Sequence, residues 1–163
     1  MSSMKHAISV LVNDQPGVLQ RVSGLFGRRG FNIESITVGA SEEPGLSRMI
    51  IVTSGDNSTL EQVQKQLYKL IDVIKVIDLS ANAMVSRELA LLKVKAEPDK
   101  RPEIFAVVET FRASIVDISA TTLIVQVVGD TEKIDAMIEL LKPYGIQQIK
   151  RTGVTAMTRG AAK

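Results

Sequence analysis

Residues 12–39 read VNDQPGVLQRVSGLFGRRGFNIESITVG, and they pass from strand to turn to helix to strand without a pause. Upstream, Ile8, Val10 and Val12 alternate with Ala7, Ser9 and Leu11, which predicts a strand buried on at least one face. Asn13-Asp14-Gln15-Pro16-Gly17 then has the residue types of a tight turn. Val18, Leu19, Val22, Leu25 and Phe26 recur at helical spacing. Arg28 and Arg29 suit the negative end of a helix dipole, and Gly30 stands where such a helix stops. The second strand is predicted over 31–40.

The pattern continues outward. Ser41-Glu42-Glu43-Pro44-Gly45 reads as a turn, and 46–54 as a third strand antiparallel to the second. Ser58 with Glu61 has the spacing of a capping box, opening a helix with Leu60, Val63, Leu67 and Leu70 on its apolar stripe. A fourth strand is expected over 73–79. The order strand-helix-strand-strand-helix-strand is that of the ferredoxin-like split βαβ unit.

Ser80-Ala81-Asn82-Ala83 is a plausible seam, and the same order repeats beyond it. Strands are expected at 88–96, 114–120, 123–128 and 146–150, the last extending toward 156. Helices are marked by Ile104, Val107, Val108 and Phe111, and by Ile134, Met137, Ile138 and Leu141. Asp130 or Thr131 caps the latter and Pro143 ends it. The expected fold is therefore α+β: two ferredoxin-like βαββαβ domains, residues 4–80 and 81–163, with a fraying tail from Thr158.

Composition removes several functions. Cys is absent, so disulfides, thiolate metal sites and a cysteine nucleophile are excluded. The single His, His6, lies near the chain start, and no His pair at ligand spacing exists, so no metal site is expected. A net charge of +2 does not by itself imply nucleic acid. RNA-binding domains of this strand order stack bases on aromatics, and the corresponding strands here offer Ile, Val, Met and Ser. No apolar run is long enough to span a membrane, and Met1–His6 lacks a signal-peptide core, so a cytoplasmic location is expected. Carboxylates such as Glu34 and Asp117 sit at strand positions where polar residues are usually only solvated, so no catalytic residue is assigned.

The turn itself has two readings. The first N–H groups of a helix have no internal partner and suit a carboxylate. Pro16 removes a donor that is spare in any case, and Gly17 lets a ligand approach the main chain. Asp14 could accept from an ammonium group, Asn32 offers donor and acceptor, and Val18, Leu19 and Ile33 could wall an aliphatic side chain. A free amino acid has all three features. Equally, Asp14 could cap the helix and the rest be ordinary turn chemistry. Arg48 has two readings as well, a cross-sheet pair with Glu34 or a solvated edge. Gly24 and Gly27 suggest close helix packing, inside the domain or across a dimer.

The segments PGVLQRVSGLFGRRGFNIESITVG, LSRMIIVTSGD and QLYKLIDVIKVIDL, in that order, resemble the small regulatory subunit of acetolactate synthase (acetohydroxyacid synthase). The N-terminal half resembles an ACT domain, a small-molecule sensing module. The resemblance covers nearly the whole chain and implies a non-catalytic subunit that activates a separate catalytic (large) subunit using thiamine diphosphate, Mg²⁺ and FAD. The chain itself would hold no cofactor and would confer feedback inhibition by valine in branched-chain amino-acid synthesis. It implies a homodimer through ACT domains, with effector at the interface. The matching positions are Asn13, Asp14, Pro16, Gly17, Val18, Leu19, Asn32 and Ile33. The family often has Glu-Asn where this chain has Asn13-Asp14, so an acceptor-only carboxylate replaces an amide. The alternative is an ACT-type amino-acid sensor serving another enzyme.

Overall fold

The computed structural model describes residues 4–161. Met1–Ser3, which carry part of the signal-peptide reading, and the last two residues of the tail lie outside it. Two compact units divide the chain, one holding residues up to Val85 together with those from Val154 on, the other Ser86–Gly153. Among the described residues no helix is long and apolar enough to cross a membrane.

In the first unit the order is β1 (Met4–Asn13), α1 (Val18–Arg28), β2 (Ile33–Ala40), β3 (Leu46–Gly55), α2 (Asn57–Tyr68) and β4 (Val73–Asp78), then a 3₁₀ turn at Leu79–Ala81. The sheet order is β2-β3-β1-β4, all neighbours antiparallel. Ile8, Val10, Val12, Met49 and Ile51 meet Val22, Leu25, Phe26, Val63 and Leu67 in one core. Phe26 sets its ring edge-to-face on Phe31, centroids 6.1 Å apart.

Strand β1 is buried on both faces, because Ala7 and Ser9 are covered as well as Ile8 and Val10. Leu79 and Met84 give part of the cover on the second face, and the chain's end gives another part. Beyond Gly153, whose φ of 86° turns the backbone where other residues are strained, β9 (Thr155–Thr158) forms. Ala156 packs on Ala7, Ile50 and Leu79. The strand expected to run on from 146–150 toward 156 therefore breaks, and its last part groups with the first unit instead of the second. Thr158 is strand, and Arg159 N–H donates to Ala83 O, so the described part of the tail is tied down.

The second unit repeats the order: β5 (Met84–Lys95, beginning inside the first unit), α3 (Arg101–Thr110), β6 (Ser114–Ile118), β7 (Thr122–Gly129), α4 (Thr131–Leu141) and β8 (Ile146–Arg151). Its sheet runs β6-β7-β5-β8, and β9 pairs with β5 off that path. Leu92, Val94, Leu123, Val125, Ile104 and Met137 are fully buried in its core.

Local chemistry sets the helix starts. Asp130 caps α4 by accepting from Lys133 N–H at 2.9 Å. Helix α2 starts one residue ahead of Ser58, and its cap is Asp56, which accepts from the N–H and Oγ1 of Thr59 at 2.8 and 2.9 Å. Asp beats Ser here because its charge also meets the positive helix end. Those bonds, the Thr59 N–H first, hold the Asp56 carboxyl below its usual value. A lowered folded value means the contribution to stability is present above the unfolded value and is lost as pH falls through the folded one. The stability gap between the native chain and Asp56→Ala, read from urea unfolding, is therefore expected to hold from pH 7 to pH 5 and to close below about pH 4.

Candidate functional site

The turn after β1 is fixed by main-chain bonds on both sides. Asn13 N–H donates to Asp72 O and Asp14 N–H to Gly45 O, each at 2.9 Å. Gly17 sits at the N-cap with φ 84° and ψ −3°, and no side chain caps the helix. Asp14 is therefore not the cap: its side chain is exposed and its backbone is held elsewhere. Val18 N–H reaches Gln15 O at 3.3 Å and Arg21 N–H reaches Gly17 O at 3.0 Å. The N–H groups of Leu19 and Gln20 are left without a protein acceptor among the described residues. They open the helix to an anion.

One cation, to which the sequence pattern assigns no role, stands beside this opening. A Cβ on Gly17 would lie 3.0 Å from Arg21 Nη1. Arg21 is anchored by Asp72, its Nε at 2.9 Å and Nη2 at 2.6 Å from Oδ2. The remaining nitrogen, Nη1, faces Gly17. Asp72 thus holds the turn twice, through its carbonyl to Asn13 and through its carboxylate to Arg21. The helical i, i+4 spacing of Gly17 and Arg21 was the available signal.

The other expected residues fall in different places. Leu19 is 47% exposed beside the turn, whereas Val18 is 3% exposed and belongs to the core. Asn32 is exposed, and its carbonyl accepts from Thr53 Oγ1 at 2.5 Å. Ile33 is half-buried and pairs with Thr53, which pairs with His6; Asn13 pairs with Leu46 at the opposite end of β3. His6 to Asn13 is a span of about 23 Å along the strand at ~3.3 Å per residue. Within one chain, Asn13–Leu19 and Asn32–Ile33 therefore lie at opposite ends of the sheet.

Two other expectations are corrected here. Arg48 pairs with Glu42, bidentate at 2.8 and 3.2 Å, while Glu34 takes Lys5 at 2.9 Å. The hairpin carries Glu42 back to β3, which puts it nearer than the strand-entry residue. Gly27 has open space around it and Gly24 meets only the guanidinium of Arg28, on its own helix, so packing inside the domain does not explain the pair.

Comparison with known proteins agrees with this architecture. Residues 8–75 match the family model of the AHAS small subunit-like ACT domain, and 87–160 that of the small subunit of acetolactate synthase. A probable acetolactate synthase small subunit of Methanothermobacter thermautotrophicus is 58% identical over 96% of this chain and 94% of its own length. The acetolactate synthase small subunit of Bacillus subtilis is 52% identical over 96% and 92%. The crystal structure of the acetolactate synthase small subunit from Thermotoga maritima superposes with a TM-score of 0.88 at 48% identity, covering 98% of this chain and 99% of that one. With two ferredoxin-like units in series and relatives of this identity along nearly its full length, the chain belongs to the acetolactate synthase small-subunit family.

Proposed function

We propose that the chain is a non-catalytic regulatory subunit that activates a thiamine-diphosphate-dependent acetolactate synthase catalytic subunit and makes it sensitive to valine. Mg²⁺ and FAD belong to that catalytic partner, and a cytoplasmic location follows. The observation that carries the effector assignment is the uncapped start of α1, with Gly17 at φ 84° and Arg21 Nη1 beside it. The carboxylate of valine binds the Leu19 and Gln20 N–H groups and Arg21. Asp14 takes the ammonium, and exposed Leu19 lies along the isopropyl group.

The register supports a dimeric site. β2 is an edge strand. Two copies pairing antiparallel through β2 about a two-fold axis would place Asn32 and Ile33 of one copy at the end where the other presents Asn13–Gly17. An isologous contact of this kind is the commonest way to close a dimer. It also covers an open sheet edge. A ligand spanning the two copies biases how they meet, which is what coupling to a partner requires.

The test is reconstitution. The purified chain is added to the catalytic subunit and acetolactate formation is followed with and without valine. Activation that valine reverses is the expected result; no change in activity on adding the chain would overturn the reading. In the same assay Asp14→Asn is expected to shift the half-inhibitory valine concentration by about three- to tenfold, because it removes one charge interaction with the ammonium at a solvated site. Equal inhibition of both forms would remove Asp14 from the site.

A further inference from the structure

The face of the first sheet turned away from its helices holds a second site. Residues directly opposite one another in a sheet share a face. The register therefore sets Arg48, Leu11 and Lys75 in one row, and Thr37, Ile50, Ser9 and Ile77 in the next. Val10, Val12, Met49 and Ile51 alternate with them and lie in the core under α1 and α2, so both rows point the other way. β9 covers part of this face. Between strand and sheet is a cavity of about 740 Å³, a size that suits a small organic ligand.

Its lining is chemically uneven. Ser9 is 6% exposed, lines the cavity, and its hydroxyl has no hydrogen-bond partner among the described residues. The oxygen is not shut away from solvent but opens onto the cavity, so its proton is available to a bound acceptor. Lys75 also lines the cavity and makes no ion pair among the described residues. It is the diagonal neighbour of Ser9, since Ser9 pairs with Ile77 and Leu11 with Lys75. Such neighbours are within reach of a long side chain. Arg48 is neutralised by Glu42. Glu43 also lines the cavity, but from the hairpin beside β2, and the order β2-β3-β1-β4 sets that edge about 14 Å from Lys75 at ~4.8 Å per strand. Leu11, Ile50, Ile77 and Ala156 give the apolar wall between.

We propose that this cavity binds a small amphipathic carboxylate. The head pairs with the Lys75 ammonium and accepts from the Ser9 hydroxyl, and the aliphatic body lies on Leu11, Ile50 and Ile77 under Ala156. The site is separate from the turn at Gly17, which serves α1 on the other face, and it stands whether or not valine binds there.

The test uses the full chain and hexanoate as probe, followed by amide chemical shifts. Shifts are expected to collect at Ser9, Leu11, Ile50, Lys75, Ile77 and Ala156, with Asn13–Gly17 unmoved. Lys75 is exposed, so Lys75→Gln folds; it is expected to weaken hexanoate about tenfold. Ser9→Ala is expected to weaken it about threefold. Hexanamide, which keeps the body and loses the charge, should bind about as poorly to the native chain as hexanoate does to Lys75→Gln. Absence of shifts, equal binding of hexanamide or hexylamine, unchanged affinity in Lys75→Gln, or shifts gathered at the turn would each overturn the proposal.

Discussion

Gly17→Asp is expected to raise the valine concentration needed for half-inhibition of the holoenzyme at least about 100-fold while leaving activation by the chain in place. Gly17 has φ 84°, where an L side chain is strained; the cost is about 1 kcal/mol, and Asp tolerates the conformation better than most residues. A carboxylate at the positive end of α1 returns ~0.3–1 kcal/mol of that. The variant therefore folds. Its Cβ would stand 3.0 Å from Arg21 Nη1, and the new carboxylate would pair with the guanidinium that the valine carboxylate is proposed to use. The substitution carries a built-in competitor, and an arriving carboxylate meets a like charge. At ~4 Å and an effective dielectric near 20 that repulsion is about 4 kcal/mol before screening, more than enough for 100-fold. Gly17→Asn has the same shape without the charge. It is expected to weaken inhibition only about tenfold, through bulk and strain. Equal, unchanged inhibition for Asp, Asn and Gly at this position would place the effector elsewhere. A parallel loss of activation would mean that the turn acts through folding and not through a ligand.

That the turn could be singled out at all reflects how much of the fold is local. Alternation in β1 and helical spacing in α1 are short-range patterns, and they repeat in the second unit, so the βαββαβ order is legible from residues near one another in sequence. What escaped depended on distant partners. Arg21 looks like the polar side of an amphipathic helix; only the fold brings Asp72 to it and turns the free nitrogen toward Gly17. Val18 fits either a site wall or a core, and the choice was made by how α1 sits on the sheet. The alternation Ile8–Val10–Val12 marks one buried face of β1, but Ala7 and Ser9 are too small and too mixed to announce a second. Ala156, which packs over Ala7, is far away along the chain. At α2, two overlapping cap signals competed: Ser58 with Glu61 has the pattern, whereas Asp56 is placed by the end of β3 to reach Thr59. The separation of Asn32 from Asn13 is the most instructive case, because a linear motif reads them as one site and the register puts them at two ends of a sheet.

In the second unit the largest effect is expected from Arg151. Its guanidinium meets Glu88 with Nε at 2.6 Å from Oε1 and Nη2 at 3.0 Å from Oε2, and sends Nη1 to Asp135 Oδ1 at 2.9 Å. The three groups come from β8, β5 and α4, so the cluster ties the edge of the sheet to a helix. Hydrogen bonding to Glu88 is the main reason that Arg151 is held above its ordinary value, and it stays charged throughout the working pH range. The two partners differ in what they lose. The Glu88 side chain is 4% exposed, while Arg151 is 32% and Asp135 56% exposed. Arg151→Leu therefore strands a buried carboxylate and is expected to cost about 3 kcal/mol, the low end for breaking a buried pair because water already reaches the guanidinium. Arg151→Lys keeps the charge and loses the two-pronged fit, and is expected to cost about 1 kcal/mol. Glu88→Leu leaves Arg151 with Asp135 and solvent, and should also cost only about 1 kcal/mol. The double variant Glu88→Leu, Arg151→Leu should recover most of the loss, because the stranded charge is gone and an apolar pair fills the space. Urea unfolding of the four variants at pH 7, followed by circular dichroism, gives the cycle directly. The expected sign is a double variant more stable than Arg151→Leu alone. Additive losses would mean that the cost of Arg151→Leu comes from packing along β8 and not from the charge left behind on Glu88.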